Sequence, residues 1–441
     1  MKKILTVAGS DSSGGAGIQA DLKTITLMGE YGLSVITALT AQNTQGVFGI
    51  YPVPLDFISS QWEAIVSDIE IDAIKTGMLG DEKVISLICQ KIKKSKIPIR
   101  VFDPVMVAKS GASLLTPSGR KALVKELLPL ATIITPNIPE AQIICGFSIR
   151  TEEDMKKSAQ KIYQLGAKNV LIKGGHKKGK AVDVLYDGKD FFLFSHPRID
   201  TIHTHGTGCT LASAIAVELA RNTPVPEAVE KAKEFITSAI RYAFPLGKGR
   251  GPTNPYFLFS REKEIYLAIE SLQKAIKKLQ SYSVGSLIPE VQSNLGYAIP
   301  FAKSVEDVVA FPGRIIRVKD TILVPLPPEP GGSNHIARII LTVMNFAPEY
   351  RSAMNIRYSP ELIQKCRKQN WKIKKFDRQK EPDKIKLKEG ASLEWGISSI
   401  LQNQSHIPDV IYDQGDVGKE PMIRILGKNP EEVVDKILCL L

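Results

Sequence analysis

The stretch Thr204-His-Gly-Thr-Gly-Cys209, continuing into Thr210-Leu-Ala-Ser-Ala-Ile-Ala-Val-Glu-Leu-Ala220, decides the fold. It has two glycines, no bulky side chain in the turn, and an Ala-rich apolar helix directly behind it. Free N–H groups at such a helix start point outward, and the helix dipole favours negative charge there. Cys209 lies in the same turn, where a thiol is expected to have a lowered pKa and to serve as base or nucleophile. On this stretch alone a glycine-rich cap with a small buried cysteine remains open.

Working outward, short apolar runs ending in polar or glycine tips alternate with helix-length segments. The runs are Ile4 to Gly9, Leu33 to Leu39, Ile71 to Met78, Ile99 to Val105, Ala131 to Asn137 and Asn169 to Gly175. The helical segments include Ile18 to Met28, Asp81 to Lys94, Thr151 to Leu165 and Pro226 to Phe244. This alternation predicts βαβ units and a largely parallel sheet covered on both faces. Ala181 to Phe194 predicts a hairpin turning at Asp187-Gly188, adding antiparallel strands at one edge. In such sheets ligands bind beyond the carboxyl ends of the strands. Asp21, Gln42, Lys75, Asp103, Asn137, Lys173 and Cys209 all fall at those ends or just after them, so they converge on one edge.

Several chemistries are set aside. Gly15-Ala-Gly-Ile-Gln-Ala20 has the form of a dinucleotide fingerprint, but the next strand runs into Thr40-Ala-Gln-Asn-Thr44 rather than ending in a ribose-binding acid. No GxxxxGK[ST] pattern occurs, so a P-loop is not supported. A phosphate cradle would then be the Gly206–Cys209 turn with Lys173 and a metal, for which Asp103 and Glu140 are the candidate ligands, since magnesium takes few carboxylates and keeps waters.

The totals agree. The chain has 441 residues, 43% hydrophobic and 24% charged, which suits two or more globular domains. No apolar run approaches a membrane span, and the apolar run after Met1-Lys-Lys breaks too early for a secretory signal. Five cysteines (89, 145, 209, 366, 439) show no metal spacing and are odd in number, which predicts a reducing, cytoplasmic setting. The Asn403-Gln-Ser405 glycosylation triplet then carries no meaning. The net charge is +12, of which +5 (27 basic, 22 acidic) lies from Arg261 onward and +7 before it. Shared excess charge suits anionic small substrates, and the basic stretch Lys365 to Lys388 is broken by acids and Pro382, so no nucleic acid partner is expected.

Six ordered blocks carry a specific resemblance. Ala8-Gly-Ser-Asp-Ser-Ser-Gly-Gly-Ala-Gly-Ile-Gln-Ala-Asp-Leu-Lys-Thr24, Ala38-Leu-Thr-Ala-Gln-Asn-Thr44, Asp103-Pro-Val-Met-Val-Ala-Lys-Ser-Gly111, Thr135-Pro-Asn-Ile-Pro-Glu140, Lys173-Gly-Gly-His176 and Thr204-His-Gly-Thr-Gly-Cys209 resemble the hydroxymethylpyrimidine/phosphomethylpyrimidine kinases of the ribokinase-like superfamily. The resemblance implies an α/β fold, a three-layer α/β/α domain with a mostly parallel sheet over residues 1–259. It implies two successive transfers from MgATP, giving the pyrimidine monophosphate and then the diphosphate. By position it puts Asp21 and Gln42 on the aminopyrimidine, with Gly9 and Met78 lining its slot. Gly206, Thr207 and Gly208 would form the anion hole and Cys209 would stand where related sugar kinases have an aspartate base. Lys173 would meet the triphosphate, and Asp103, Asn137 and Glu140 would arrange Mg2+ and nucleotide. A homodimer is expected by the same analogy.

Pro245-Leu-Gly-Lys-Gly-Arg-Gly-Pro-Thr-Asn-Pro255 is the richest Gly/Pro stretch and marks a joint. Beyond it Ile265, Ile269, Leu272, Ile276 and Leu279 form a helical stripe. Strands are predicted at Gly313 to Val318, Thr321 to Val324, Trp371 to Lys374 and Met422 to Leu426. Helices are predicted at His335 to Asn345, Ser359 to Gln369, Leu393 to Gln402 and Pro430 to Leu440. Residues 260–441 thus read as a smaller α/β domain. Leu287-Ile-Pro-Glu-Val-Gln-Ser-Asn-Leu-Gly-Tyr-Ala298, Pro312-Gly-Arg-Ile315, Gly331-Gly-Ser-Asn-His335, Ala353-Met-Asn-Ile-Arg357, Pro408-Asp-Val-Ile-Tyr-Asp413 and Gly418-Lys-Glu-Pro421 resemble the thiamine-phosphate synthase domain that is found fused behind such kinases and is unrelated to the barrel-shaped synthase. That resemblance implies joining of the pyrimidine diphosphate to thiazole phosphate, with Arg314 and His335 as catalytic residues. Asp416-Val417 depart from the expected glycine and aromatic residue. The competing readings are a thiamine-phosphate sensor in the second domain, or a kinase for a different ring alcohol such as pyridoxal.

Overall fold

The computed structural model describes residues 1–107, 114–175, 181–196, 198–378, 381–382, 391–402, 406–416 and 418–441. Residues 108–111, His176, Val417, the Asn403 triplet and part of the basic stretch near Lys365 to Lys388 lie outside them. The chain divides into two compact units, Met1–Leu258 and Phe259–Leu441. No helix among the described residues is long and apolar enough to cross a membrane.

The first unit runs β1 (Lys3–Asp11), α1 (Gly17–Leu27), β2 (Tyr31–Asn43), β3 (Gly46–Pro52), α2 (Leu55–Val66), β4 (Ala73–Thr76), α3 (Glu82–Lys94), β5 (Ile99–Phe102), α4 (Pro117–Ala122), β6 (Ile133–Ile134), α5 (Ile138–Cys145), α6 (Glu152–Gln164), β7 (Val170–Ile172), β8 (Ala181–Tyr186), β9 (Phe191–His196), α7 (Thr207–Ala220) and α8 (Val225–Arg241). Its nine strands lie in the order β3-β2-β1-β4-β5-β6-β7-β8-β9. The run from β2 to β7 is parallel, while β3 at one edge and the β8–β9 hairpin at the other are antiparallel.

Strand alternation divides the core into two layers, because successive side chains point to opposite faces. Leu5, Val7, Ile74, Phe102, Ile134, Val170 and Ile172 pack with α2, α3, α5 and α6. Their neighbours Ile4, Ala73, Val101, Ile133 and Leu171 pack with α1, α7 and α8. Helix α7 is buried on every side from Thr210 to Ala220, which explains why its sequence is apolar all round. Strands β4 to β7 are shorter than the apolar runs suggest. Their polar tips leave the sheet as loops at one edge, which frees those side chains for chemistry. Strand β2, in contrast, extends to Asn43 because β3 pairs with it, a strand the sequence pattern does not reveal.

A buried ion pair ties this unit together beneath that edge. Lys75 Nζ from β4 lies 2.8 Å from each oxygen of Asp21 on α1, and neither side chain has any exposure. Asp21 also accepts hydrogen bonds from Thr6 of β1 at 2.6 Å and Ser213 of α7 at 2.8 Å.

In the second unit helix α9 (Phe257–Gln280), which begins just before the boundary, leads into β10 (Leu295–Ala298), β11 (Val308–Ala310), β12 (Ile316–Val318), β13 (Thr321–Leu323), β14 (Glu329–Pro330), α10 (Asn334–Met344), β15 (Ser352–Arg357), α11 (Pro360–Lys368), β16 (Ile373–Lys375), α12 (Ala391–Leu401), β17 (Val410–Asp413), β18 (Met422–Gly427) and α13 (Pro430–Leu438). Seven strands form a mixed, mainly antiparallel sheet in the order β14-β11-β10-β15-β18-β17-β16, and β12 and β13 form a separate ribbon. The predicted helices are present. The sequence reading misses β10, β11, β15 and β17, because runs of three to six residues in a sheet interior show no alternation to detect, and it misses the edge strand β14, which has only two residues.

Asp21→Asn should leave the Lys75 ammonium buried without a counter-charge and cost about 3–5 kcal/mol of stability. Chemical denaturation of the full chain checks this, and Asp21→Asn with Lys75→Met should recover most of the loss. A single variant as stable as the parent would contradict the assignment.

Candidate functional site

The loops at the carboxyl ends of β1, β4, β5, β6 and β7 and the start of α7 enclose one cleft, lined among others by Gly9, Gln42, Met78, Asp103, Asn137, Glu140, Lys173, Gly206, Thr207, Gly208 and Cys209. The sequence-derived candidates of this unit therefore meet at one place, with one exception.

The exception is Asp21. Its carboxylate is saturated by Lys75, Thr6 and Ser213, has no exposure and is not part of the cleft wall. A carboxylate committed in this way cannot also bind a ring in the cleft. Asp21 is instead the support of Lys75, which does reach the wall. Burial would lower the Lys75 pKa, but Asp21 chiefly, with Asp103, outweighs it and holds the ammonium charged.

Helix α7 has Gly206 as its N-cap, which adopts the left-handed conformation (φ 79°) and provides no side-chain cap. The first-turn N–H groups therefore keep their capacity for an anion. Only glycine fits here. A Cβ on Gly206 would lie 1.8 Å from the Gly15 carbonyl oxygen, and one on Gly208 would lie 3.2 Å from Asp103 Oδ2 and 3.4 Å from Lys173 Nζ. The turn is thus pressed against the loop after β1 and opens toward a carboxylate and an ammonium.

Cys209 corrects the expectation drawn from helix position. Burial, with Asp21 and Asp103 adding negative charge, pushes its thiol up to about 11 against the opposing pull of Lys75 and a hydrogen bond from the Gly17 N–H. The helix start does not overcome burial, to which the two carboxylates add, so the thiol is protonated at neutral pH.

Asp103 Oδ1 accepts from Lys173 Nζ at 2.8 Å and Thr135 Oγ1 at 3.2 Å. Asn137 and Glu140 form a reciprocal cap of α5: Glu140 N–H donates to Asn137 Oδ1 and Asn137 N–H to Glu140 Oε2, both at 2.9 Å. The Asn137 side-chain oxygen is therefore occupied. Burial pushes the Glu140 carboxyl up to about 7, with Asp103 adding to the effect and Lys173 opposing it. Two buried carboxylates with one ammonium between them leave negative charge that a divalent cation would neutralise. Among the described residues no group of three or more His, Cys, Asp or Glu is arranged to hold a metal. A cation here would complete its shell with water and phosphate oxygens, the usual habit of magnesium.

Gly9 and Met78 lie against each other, a Cβ on Gly9 falling 3.2 Å from Met78 Sδ. Across the slot Gln42 Nε2 lies 3.1 Å from His205 Nε2, which is also 2.8 Å from Asp11 Oδ2. Asp11 in turn accepts from Ser13, Gly15 and Ala16 N–H groups. Burial would raise its pKa, but His205 and Ser13 bring it down to about 2. Asp11 and His205 were missed by sequence reasoning. The Ser10-Asp-Ser12 turn and the position of His205 inside the anion turn were the available signals.

In the second unit His335 stands in the exposed first turn of α10. The surrounding protein first, then Arg424, Arg378 and Arg314, push its imidazole down to about 4, with Asp413 opposing. It is neutral at neutral pH, a hydrogen-bond donor and not a ready acid. Arg314 adopts a left-handed backbone (φ 60°) and donates through Nη1 to the Val291 carbonyl.

Residues 11–254 match the phosphomethylpyrimidine kinase family, and residues 271–439 match the thiamine-phosphate synthase ThiN family. Among curated relatives, the thiamine biosynthesis bifunctional protein ThiED of Geobacter sulfurreducens is 54% identical over 252 residues, covering 57% of this chain and about half (51%) of that protein. The hydroxymethylpyrimidine/phosphomethylpyrimidine kinase of Haemophilus influenzae is 47% identical, covering 59% of this chain and 98% of that protein. Among solved structures, an ADP complex of Bacillus subtilis pyridoxal kinase is 44% identical with a TM-score of 0.55, covering 59% of this chain and 99% of that one.

Alkylation of Cys209 followed by peptide mass spectrometry should be slow at neutral pH and should rise with pH toward the thiol's value of about 11. A rate that has already levelled off near neutrality would show a thiolate and contradict the buried-thiol geometry.

Proposed function

The chain belongs to the phosphomethylpyrimidine kinase family over residues 11–254, and from that premise we propose that it phosphorylates hydroxymethylpyrimidine twice from ATP and then joins the diphosphate to thiazole phosphate, giving thiamine phosphate and pyrophosphate. The observation that carries the reading is the cleft in which an uncapped helix start, Lys173 and two buried carboxylates face a slot bounded by Gly9, Gln42 and Met78.

Phosphoryl transfer asks mainly for alignment and charge neutralisation. In this reading Gln42, held by His205, hydrogen-bonds the aminopyrimidine between Gly9 and Met78. The N–H groups of Gly206, Thr207 and Gly208 receive the transferred phosphoryl oxygens, and Lys173 and the Asn137 loop meet the nucleotide. Mg2+, when bound, would neutralise phosphate charge beside Asp103 and Glu140. Cys209, protonated, orients the hydroxyl group instead of removing its proton in advance. In the second unit Arg314 binds the departing pyrophosphate and His335 donates a hydrogen bond to it.

Two further parts of the reading rest on surface and composition. Phe48, Tyr51 and Phe57 are exposed on and beside edge strand β3, an apolar face suited to a homodimer. All five cysteines are free, which suits a cytoplasmic setting. Because the similar Bacillus subtilis structure is a pyridoxal kinase, pyridoxal is the competing alcohol to assay beside hydroxymethylpyrimidine.

The full chain given hydroxymethylpyrimidine, thiazole phosphate and MgATP should form thiamine phosphate. Cys209→Ala should slow both phosphorylations by roughly ten- to a hundredfold through lost alignment, yet leave coupling from supplied diphosphate intact; His335→Ala should do the reverse. Equal loss of both activities in either variant would contradict two independent sites.

A further inference from the structure

A buried charge cluster in the second unit is not accounted for by Arg314 and His335. Asp413, at the end of β17, is fully buried and binds two guanidinium groups. Arg378 Nε donates to its Oδ1 at 2.7 Å and Nη2 to its Oδ2 at 3.3 Å, while Arg424 Nη1 donates to Oδ2 at 2.8 Å. Both guanidinium carbons lie 5.3 Å from the centre of the Phe376 ring. Arg424 is 1% exposed, and its Nε has no hydrogen-bond partner among the described residues.

Strand register puts this cluster on the face that carries His335. A Cβ on Gly296 would meet Ile336 and Ile340 of α10, so that face of β10 is covered by α10. Gly296 pairs with Ala353, and Ala353 with Leu426. Two residues along, Asn355 pairs with Arg424, and Arg424 with Ile411, so Arg424 and Asp413 share the α10 face. Phe376 is pressed by Gly396 of α12 on the same side. The first turn of α10, with His335, opens over this group, and Arg424 and Arg378 are the leading charges acting on its imidazole.

Among the described residues one carboxylate bonds both buried arginines, which leaves a surplus positive charge, and Arg314 adds another. Burying such charge is costly unless it is paired. A structural ion pair would be complete with one arginine, whereas the second leaves guanidinium charge that an anion could meet. Arg378, at 7% exposure, is the more exposed of the two arginines.

We propose that Arg378 and Arg424, locked in place by Asp413 and Phe376, are a preformed diphosphate-recognition pair beside His335, with Arg378 contacting the anion and Arg424 positioning it. The proposal deepens the synthase reading and rests on it for the identity of the ligand, an organic diphosphate or its pyrophosphate product. The order of events follows: Asp413 holds the guanidinium planes before the ligand arrives, so little side-chain entropy is lost on binding.

The test titrates inorganic pyrophosphate into the full chain while following the ring resonances of His335, assigned among the six histidines with His335→Gln. The parent should give a saturable shift. Arg378→Met should weaken the apparent affinity by at least about tenfold, and Arg378→Lys, which keeps the charge, should restore part of it. Asp413→Asn should weaken binding while the thermal transition shows the unit still folded. No saturable shift in the parent, or equal affinity in parent and Arg378→Met, would overturn the proposal. A parent that binds pyrophosphate at His335 through Arg378 but forms no thiamine phosphate would support the anion pair and defeat the synthase reading instead.

Discussion

The carboxylate of Asp21 is the constraint on which the first unit depends. It gathers Lys75, Thr6 and Ser213 from three other elements, in a place with no access to water. Leaving any of those donors unpaired there would be expensive, so β1, β4, α1 and α7 are held at fixed relative positions. The consequence reaches the cleft directly. Lys75 arrives at its wall with the charge already fixed, and α7 presents its first turn in register with the loop after β1. The contact of Gly206 against Gly15 then sets where the helix N–H groups can meet an anion.

Both units use buried charge in a comparable way. In the first, burial lifts the Glu140 carboxyl to about 7, with Lys173 opposing and Asp103 adding to the rise. In the second, Arg378 and Arg424 exceed Asp413, and the neighbouring imidazole falls to about 4. Each shift is led by burial, with the neighbouring charges adding to it or opposing it. A cation in one case and a diphosphate in the other would supply what is missing. Preorganised charge of this kind is most effective where water is excluded, because no reorganisation is needed when the ligand binds.

Much of this was legible in the sequence because parallel strands put their tips on one edge. Lys75, Asp103, Asn137 and Lys173 could be gathered from the pattern alone, and the glycines of the turn marked a backbone that must approach something closely. The roles of Asp21 and Cys209 were not legible. Position in a motif says which residues are near the cleft, but not which way a side chain faces on its helix or how many partners it already has. Asp21 turns away from the cleft to Lys75, and burial of Cys209, with two carboxylates adding to it, outweighs the helix start. In the second unit Val308–Ala310 and Val410–Asp413 are too short and too buried to show a period. The sheet that carries Arg424 and Asp413 therefore appeared only in three dimensions.

The most direct measurement is a crystal structure of the full chain with a non-hydrolysable ATP analogue, Mg2+ and hydroxymethylpyrimidine. The account requires the terminal phosphate at the N–H groups of Gly206 to Cys209, the metal near Asp103 and Glu140, and the ring between Gly9 and Met78 with its hydroxymethyl group at the Cys209 sulfur. A nucleotide bound away from the α7 start, or a ring that displaces Lys75 to reach Asp21, would contradict it.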